Sequence, residues 1–301
     1  MPPNPPGLLI SVVIPTYNRK GAIAQCLEAL SVQTFPRESF EVVVVDDGSP
    51  IPVRDVVGRY EERINVRILE QRNQGPATAR NTGAFAARGS YVAFTDDDCL
   101  PEPDWLAALA RRISEYPEAG IGGGIVNALP HNAFSTGSQQ LVEYLYEYFN
   151  RSPETSTFFI TSNLTFPAGA FREMKGFDTS FPLAAAEDRE ICDRWLDLKG
   201  KLVYASDVVV RHAHPLSLRS FWRQHHNYGR GAYYLQKARA RRGEERLRVE
   251  PFRFYRGLIA YPWNHLSGFR AVAGCLIAVL SQVAYVAGFF RERAFPQPRK
   301  T

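Results

Sequence analysis

Three consecutive carboxylates, Asp96, Asp97 and Asp98, follow directly on the apolar run Tyr91-Val92-Ala93-Phe94. The run is β-branched and aromatic and reads as a buried strand, so the acids fall at a strand's carboxyl end, where α/β sheets present ligands. Adjacent carboxylates repel one another and need a compensating cation. Oxygen donors two residues apart, Asp96 and Asp98, suit Mg²⁺ or Mn²⁺. Taken alone, the three acids are equally readable as a solvated acidic turn before the helix that residues 101–104 announce.

The elements that must position these acids alternate in type. Residues 8–14 form an apolar strand that stops at Pro15-Thr16-Tyr17-Asn18-Arg19, and a helix follows with Ile23, Cys26, Leu27 and Leu30 on its buried face. Residues 41–45 give a second strand, ending in Asp46-Asp47-Gly48-Ser49, and residues 66–69 a third. Asn73-Gln74-Gly75-Pro76 then opens a helix whose small residues let it lie close to a neighbour or a ligand. Strands alternating with helices imply a parallel sheet.

Beyond the acids, Trp105, Leu106, Leu109 and Ile113 mark a helix closed by Pro117, and Ile121-Gly122-Gly123-Gly124-Ile125-Val126 reads as a strand with close backbone approach. Residues 128–156 are aromatic and read as a helix and loop covering a cleft, and residues 158–167 resume strand character. Glu187 and Asp188 open a helix with the stripe Ile191, Trp195 and Leu198 and a stop at Gly200. A strand pair, residues 201–205 and 207–210, leads into Arg211-His212-Ala213-His214. Ser217 caps a long basic helix with Leu218, Phe221, Trp222, Tyr228, Ala232 and Leu235 on one side and Arg219, Arg223, Arg230 and Lys237 around it. Residues 271–290 carry no charge and are flanked by Arg270, Arg291 and Arg293; they predict a membrane span or an interfacial helix.

The chain has 301 residues, 45% hydrophobic and 22% charged, enough for a sizeable core in one large domain or two small ones. Cys26, Cys99, Cys192 and Cys275 lie far apart without metal spacing, which suits a reducing compartment. The N-terminus lacks the basic start and apolar run of a signal peptide, so the catalytic part is expected on the cytoplasmic side. Net charge is +5, with much of the excess after Arg211, but it adjoins an apolar tail and lacks exposed aromatic interleaving, so a nucleic-acid partner is not expected. The loop at residues 15–21 supplies neither G-x-G-x-x-G nor a P-loop, and Pro101 stands where a calcium loop starting at Asp96 would need glycine.

Taken together, four ordered motifs resemble the family 2 glycosyltransferases. They are Ser11-Val12-Val13-Ile14-Pro15-Thr16-Tyr17-Asn18-Arg19, Val45-Asp46-Asp47-Gly48-Ser49, Asn73-Gln74-Gly75 through Arg80-Asn81, and Thr95-Asp96-Asp97-Asp98, the last matching the family's DxD signature. The resemblance covers roughly residues 9–235 and implies a GT-A fold, an α/β Rossmann-like mixed sheet flanked by helices. A GT-A domain over residues 8–215 would carry a helical, membrane-associated extension over residues 216–301.

The resemblance also implies roles. Pro15, Thr16 and Asn18 would wall the base and ribose of a nucleotide-diphosphate sugar, and Asp46 would accept a hydrogen bond from the base. Asp47, Asn73, Gly75 and Asp97 belong to the same nucleotide loops, and Arg80 would add a cation near the diphosphate or be a helix arginine paired with a carboxylate. Asp98 would bind the metal directly, with Asp96 reaching it or the ribose. His212, ahead of His214, would complete the metal or diphosphate site, tilting a metal toward Mn²⁺, or be a capping or structural histidine. Asp188, oriented by Glu187, would take the proton from the acceptor hydroxyl; both acids would otherwise only complement the helix dipole. The Q-x-x-R-W motif of processive members is absent at Gln224-His225-His226-Asn227-Tyr228, which implies a non-processive member of this inverting family; the basic helix from Arg219 to Arg242 and the apolar tail suggest a glycan or lipid-linked acceptor at an anionic membrane surface. A sugar nucleotidyltransferase would need a glycine-rich, lysine-bearing first loop, and an inactive nucleotide-sugar-binding module would have lost the base.

Overall fold

The computed structural model describes residues 8–152, 155–183, 185–243 and 249–296, so the proline-rich start lies outside the described residues. The chain forms two compact units. The first runs to Val126 and resumes over Asn150–Asp178 and Ile191–Ala213; the second comprises Asn127–Phe149, Thr179–Glu190 and the chain from His214 on.

The first unit is built on an eight-stranded sheet ordered β3-β2-β1-β4-β7-β6-β8-β5. Its strands are β1 (Ile10–Thr16), β2 (Phe40–Asp46), β3 (Val66–Glu70), β4 (Tyr91–Phe94), β5 (Cys99–Pro101), β6 (Gly120–Asn127), β7 (Leu164–Pro167) and β8 (Leu202–His212). The block β3-β2-β1-β4 is parallel, with Thr16 beside Asp46 and Val13 beside Phe94, whereas β7 runs antiparallel to both β4 and β6. Strands β1 and β2 are buried along their whole lengths, as continuous apolar runs in a covered parallel sheet must be.

Helices α1 (Lys20–Ser31), α2 (Arg54–Gly58), α3 (Pro76–Ala86), α4 (Trp105–Glu115) and, after α5 (Ala133–Phe149) of the second unit, α6 (Ala168–Glu173) punctuate the strands. Ile23, Cys26, Leu27 and Leu30 are buried on α1, as the spacing predicts. A Cβ on Gly83 would strike Val13 and Val45, so α3 lies close against β1 and β2. The glycine run in β6 has the same cause: a Cβ on Gly122 would meet the Phe159 ring and one on Gly123 the Asn163 side chain. Asn163 is buried and donates to both Gly124 O and Val208 O at 2.8 Å, tying β6 to β8.

Helix α7 (Glu187–Asp197) starts in the second unit and ends in the first. Ile191 and Trp195 are buried as expected, but Leu198 lies past the helix end and is 63% exposed. The expected strand pair is one continuous strand, β8: Ser206 and Asp207 sit at its solvent side, where Asp207 pairs with Arg111 and Arg112 rather than turning the chain. Strand character over residues 158–163 is also absent; a 3₁₀ turn occupies Thr161–Asn163 ahead of β7.

The second unit is helical. Its aromatic helix α5 packs Tyr144, Tyr148 and Phe149 against Phe254 of α9 (Phe252–His265), so the aromatic richness of that stretch serves a core. Ser217 caps α8 (Leu218–Arg241) in a reciprocal capping box with Ser220. The buried face of α8 is Phe221, His225, Gly229, Ala232 and Leu235; Leu218, Trp222 and Tyr228 are exposed instead, and Arg230 is buried against Glu292. The last helix, α10 (Gly268–Ala294), is the one helix among the described residues long and apolar enough to cross a membrane by length and composition.

Candidate active site

The parallel block places the ends of β1, β2 and β4 along one edge of the first unit, and backbone bonds lock their loops together. Asp47 N–H donates to Thr16 O at 2.9 Å and Thr95 N–H to Val13 O at 3.3 Å. Asn18 holds a left-handed φ of 55° and donates its N–H to Ser49 Oγ at 2.8 Å, so the first two motifs touch. Pro15 is the last-but-one residue of β1.

The paired acids of the second motif order the loops around them. Asp46 is buried and accepts from Ser49 N–H at 2.9 Å and Val53 N–H at 3.2 Å. Asp47 accepts from Gln71 Nε2, Gln74 N–H and Gly75 N–H at 2.7–2.9 Å. Gly75 precedes Pro76, the first residue of α3, with φ 93°, a conformation open to glycine at no steric cost. Gly48 (φ 79°) brings the same loop so near that a Cβ would lie 2.7 Å from Asn73 N. The third motif is thus fastened to the second.

Each of the three adjacent carboxylates has found a cation. Arg80, buried on α3, donates to Asp96 Oδ1 at 2.7 Å, and its guanidinium sits 5.9 Å from the Phe177 ring centre. Arg19, the residue before α1, bridges two acids: one nitrogen lies 2.8 Å from Asp97 Oδ1 and the other 2.7 Å from Asp98 Oδ2. Asp97 also accepts from Thr16 Oγ1 at 2.8 Å, and His212 Nε2 stands 3.3 Å from Asp98 Oδ1 at the end of β8. Ala213 N–H donates to Asp98 O at 2.8 Å, and Cys99 pairs with His212 across β5 and β8. Arg80 is therefore neither a surface arginine nor unpaired, and Asp97 links the β1 loop to the acid cluster.

Burial and charge split the acids. Burial pushes the Asp97 carboxyl up to about 7, against the pull of Arg19 and Thr16. Asp98 is buried as well, but His212 and Arg19 outweigh that penalty and hold its carboxyl well below the usual range. His212 is raised in turn: burial opposes its charge, and the Asp98 carboxylate more than restores it. Oxygens of Asp96 and Asp98 and the Cys99 sulfur lie within 4.8 Å of one another. Burial and the neighbouring acids push the Cys99 thiol well up, so it offers no thiolate. What is left is a hard oxygen donor set with an imidazole at its side, which fits Mg²⁺ or Mn²⁺.

Glu187 and Asp188 belong to the second unit, in the first turn of α7. Ala186 before them takes φ 71°, unusual for a residue with a Cβ, and Arg189 N–H donates to Asp188 Oδ1 at 2.7 Å. Glu190 pairs with Arg242 at 2.8 Å, and the Arg189 guanidinium lies 4.0 Å from the Phe149 ring centre. His214 is the first residue of the unit's last segment, and its carbonyl accepts from Ser135 Oγ at 2.5 Å. Sequence reasoning gave no role to Arg19. The signal was present, since three neighbouring acids require compensation and an arginine ends the first motif.

The profile of "Glycosyl transferase family 2" matches residues 11–175. The glycosyltransferase AglE of Haloferax volcanii is 29% identical over 205 residues, covering 67% of this chain and 66% of that protein. Validoxylamine A glucosyltransferase of Streptomyces hygroscopicus subsp. jinggangensis is 33% identical over 211 residues, covering 61% of this chain and 50% of that protein. The chain thus spans about half to two thirds of the length of these curated relatives. Among solved structures, mannosyltransferase PcManGT from Pyrobaculum calidifontis, in complex with GDP-Man and Mn²⁺, superposes with a TM-score of 0.67 at 19% identity, covering 99% of this chain and 90% of that one, a likeness of fold. With a profile match over more than half its length, a range that includes the motifs whose loops meet at one sheet edge, the chain belongs to glycosyl transferase family 2.

Proposed function

We propose that the chain transfers a sugar from a nucleotide-diphosphate donor to an acceptor hydroxyl in one in-line displacement, with inversion at the anomeric carbon. The observation that carries this is the cluster of Asp96 and Asp98 at the end of β4, with Arg19, Arg80 and His212 around it. Asp98, Asp96 and His212 would hold Mn²⁺ or Mg²⁺. Bound there, the cation would stabilise charge developing on the leaving diphosphate. Mn²⁺ in the PcManGT complex supports a divalent ion, and GDP-Man in the same complex supports a nucleotide-sugar donor.

Pro15, Thr16 and Asn18 would flank base and ribose, with Asp46 directed at the base edge through acceptor capacity beyond its two backbone bonds. Asp47 would act by fixing the Asn73–Gly75 loop, and Asp97 by orienting Thr16 and Arg19. Arg80 would keep Asp96 aligned and add positive charge near the diphosphate. Asp188, oriented by Glu187, would accept the proton of the acceptor hydroxyl as it attacks. The acceptor would be a glycan or lipid-linked glycan in cell-surface assembly, met on the cytoplasmic side of a membrane. Residues 8–215 would be the catalytic domain and residues 216–301 its membrane-associated extension.

The test is a donor panel. Purified protein with Mn²⁺ or Mg²⁺ and UDP-, GDP- and dTDP-sugars should release a nucleoside diphosphate from one donor, suppressed by EDTA. Asp188→Asn should keep donor binding and lose transfer. Pyrophosphate as the product would point to a nucleotidyltransferase, and normal turnover by Asp188→Asn would remove it as base.

A further inference from the structure

The two faces of α10 differ. Its inner face is small: Ala271, Gly274, Ala278, Ser281, Ala284 and Gly288 are buried, and α10 packs most extensively against α8. A Cβ on Gly229 of α8 would collide with the Tyr285 carbonyl, and one on Gly288 of α10 with the His226 carbonyl, so the two backbones touch where they cross. Near its C-terminus Glu292 is fully buried and accepts from Arg230 Nε at 2.6 Å and from the Tyr234 hydroxyl at 2.5 Å. The outer face is a stripe of Val272, Leu276, Val279, Val283, Val286 and Phe290, each 40–65% exposed and spaced alternately four and three residues apart. A contiguous apolar stripe of this length marks an interaction surface.

Charge decides what covers it. Residues 251–296 carry Arg253, Arg256, Arg270, Arg291 and Arg293, all exposed, and a single acid, Glu292, which is buried in its ion pair. The outer surface of α9 and α10 is therefore wholly cationic where it is charged. A second copy of this chain would set arginine against arginine in either orientation of paired α10 helices, because both ends of α10 are basic. An anionic lipid surface meets the same pattern with opposite charge. Exposed aromatic residues complete the match: Phe269 and Phe295, 85% and 76% exposed, stand at the two ends of α10, and Phe252 and Trp263 are exposed on α9, the composition of helices seated among headgroups.

A span is a different matter. For α10 to cross a bilayer with its inner face still packed, the stretch of α8 that meets it, Phe221 to Tyr234, would have to enter the hydrocarbon with Arg223, at a cost of about 2.5–3.5 kcal/mol for a charge near the centre. Separating the helices would instead break the buried Arg230–Glu292 pair.

We propose that the outer face of α10 lies flat in the interface of an anionic bilayer, with the α9 and α10 arginines on phospholipid headgroups, and does not cross it. The proposal deepens the membrane-associated reading above, because it names the surface at which the acceptor would be met.

The experiment is flotation of the full-length protein with phosphatidylcholine vesicles, with and without phosphatidylglycerol. The protein should float only with the anionic vesicles, be released by alkaline carbonate, and lose roughly tenfold or more of its binding in Leu276→Glu/Val283→Glu, where two exposed side chains are made acidic. Arg256→Glu/Arg293→Glu, two exposed arginines, should weaken flotation while leaving circular dichroism unchanged. Retention in the membrane after carbonate would mean a span. Failure to float, whether as a monomer or as a dimer that Leu276→Glu/Val283→Glu dissociates, would equally overturn the proposal. Donor binding in the same preparations separates the two readings. Its survival without flotation would end only the membrane proposal, and its absence with flotation intact would end only the transferase.

Discussion

Each unit buries an arginine–carboxylate cluster, and the two are built for opposite ends. In the second unit Arg230 and Glu292 are 9% and 0% exposed; Tyr234 also donates to the carboxylate, and Arg291 comes within 3.6 Å of it. Neither partner has an outlet to water. In the first unit the carboxylates of Asp97 and Asp98 are just as deeply buried, at 3% and 7%, but the arginine that bridges them is 44% exposed. Arg19 can leave for solvent without stranding its own charge, whereas Arg230 cannot. On the proposed function the first cluster would exchange its cation for a metal ion; the second ties α8 to α10.

That difference is sharpest in a variant that removes one carboxylate. Glu292→Ala should cost about 3–5 kcal/mol, because Arg230 is left charged, buried and unpaired, and thermal unfolding should fall accordingly. Replacing both residues, Arg230→Met with Glu292→Leu, should recover most of that loss, as apolar substitutes for a buried pair often do. In the first unit, Asp98→Ala should cost less stability by the same measurement, because Arg19 can turn to solvent, and should lower donor turnover about 100-fold or more.

Acidification separates the units again. His225, buried on α8 beside Phe221 and Tyr228, is lowered to about 4 by burial, with the nearby His214 adding to the shift. Its folded value lies below the unfolded one, so the unfolded chain binds the extra proton as pH falls from about 6.5 toward 4. Stability should therefore drop by about 2 kcal/mol across that window, measured by denaturant unfolding, and His225→Asn should flatten the slope. The smallest effect is expected at Arg19. Arg19→Gln should tighten Mn²⁺ binding roughly three- to tenfold, read by the EPR signal of free Mn²⁺, because the competing cation is gone. Weaker Mn²⁺ binding in that variant would make Arg19 part of the cation site and dissolve the contrast between the two clusters.

How far the sequence told this depends on which physics governs each residue. β1 and β2 were readable because fully buried parallel strands are continuous apolar runs, and α1 because its buried residues keep helical period. The motif residues were readable by type, and the structure brings Thr16, Asp47, Gly75, Asp96, Asp97, Asp98 and His212 into two linked networks at one edge. What was not readable depended on partners distant in sequence. β8 looks broken at Ser206-Asp207 until its surface arginines are known, and α8 looks as if Trp222 faces inward until Gly229 and Gly288 fix which side meets α10. Arg19 is legible only as a charge, and its bridge to Asp97 and Asp98 spans 78 and 79 residues of chain.

The central claim is an exchangeable cation site that holds a nucleoside diphosphate. Calorimetric titration of UDP and GDP into the protein, with Mn²⁺ and again with EDTA, tests it most directly, using wild type and Asp98→Ala side by side. Wild type should bind one nucleotide saturably in Mn²⁺ only, and Asp98→Ala should bind none. Binding that is indifferent to EDTA and to the loss of Asp98 would contradict it.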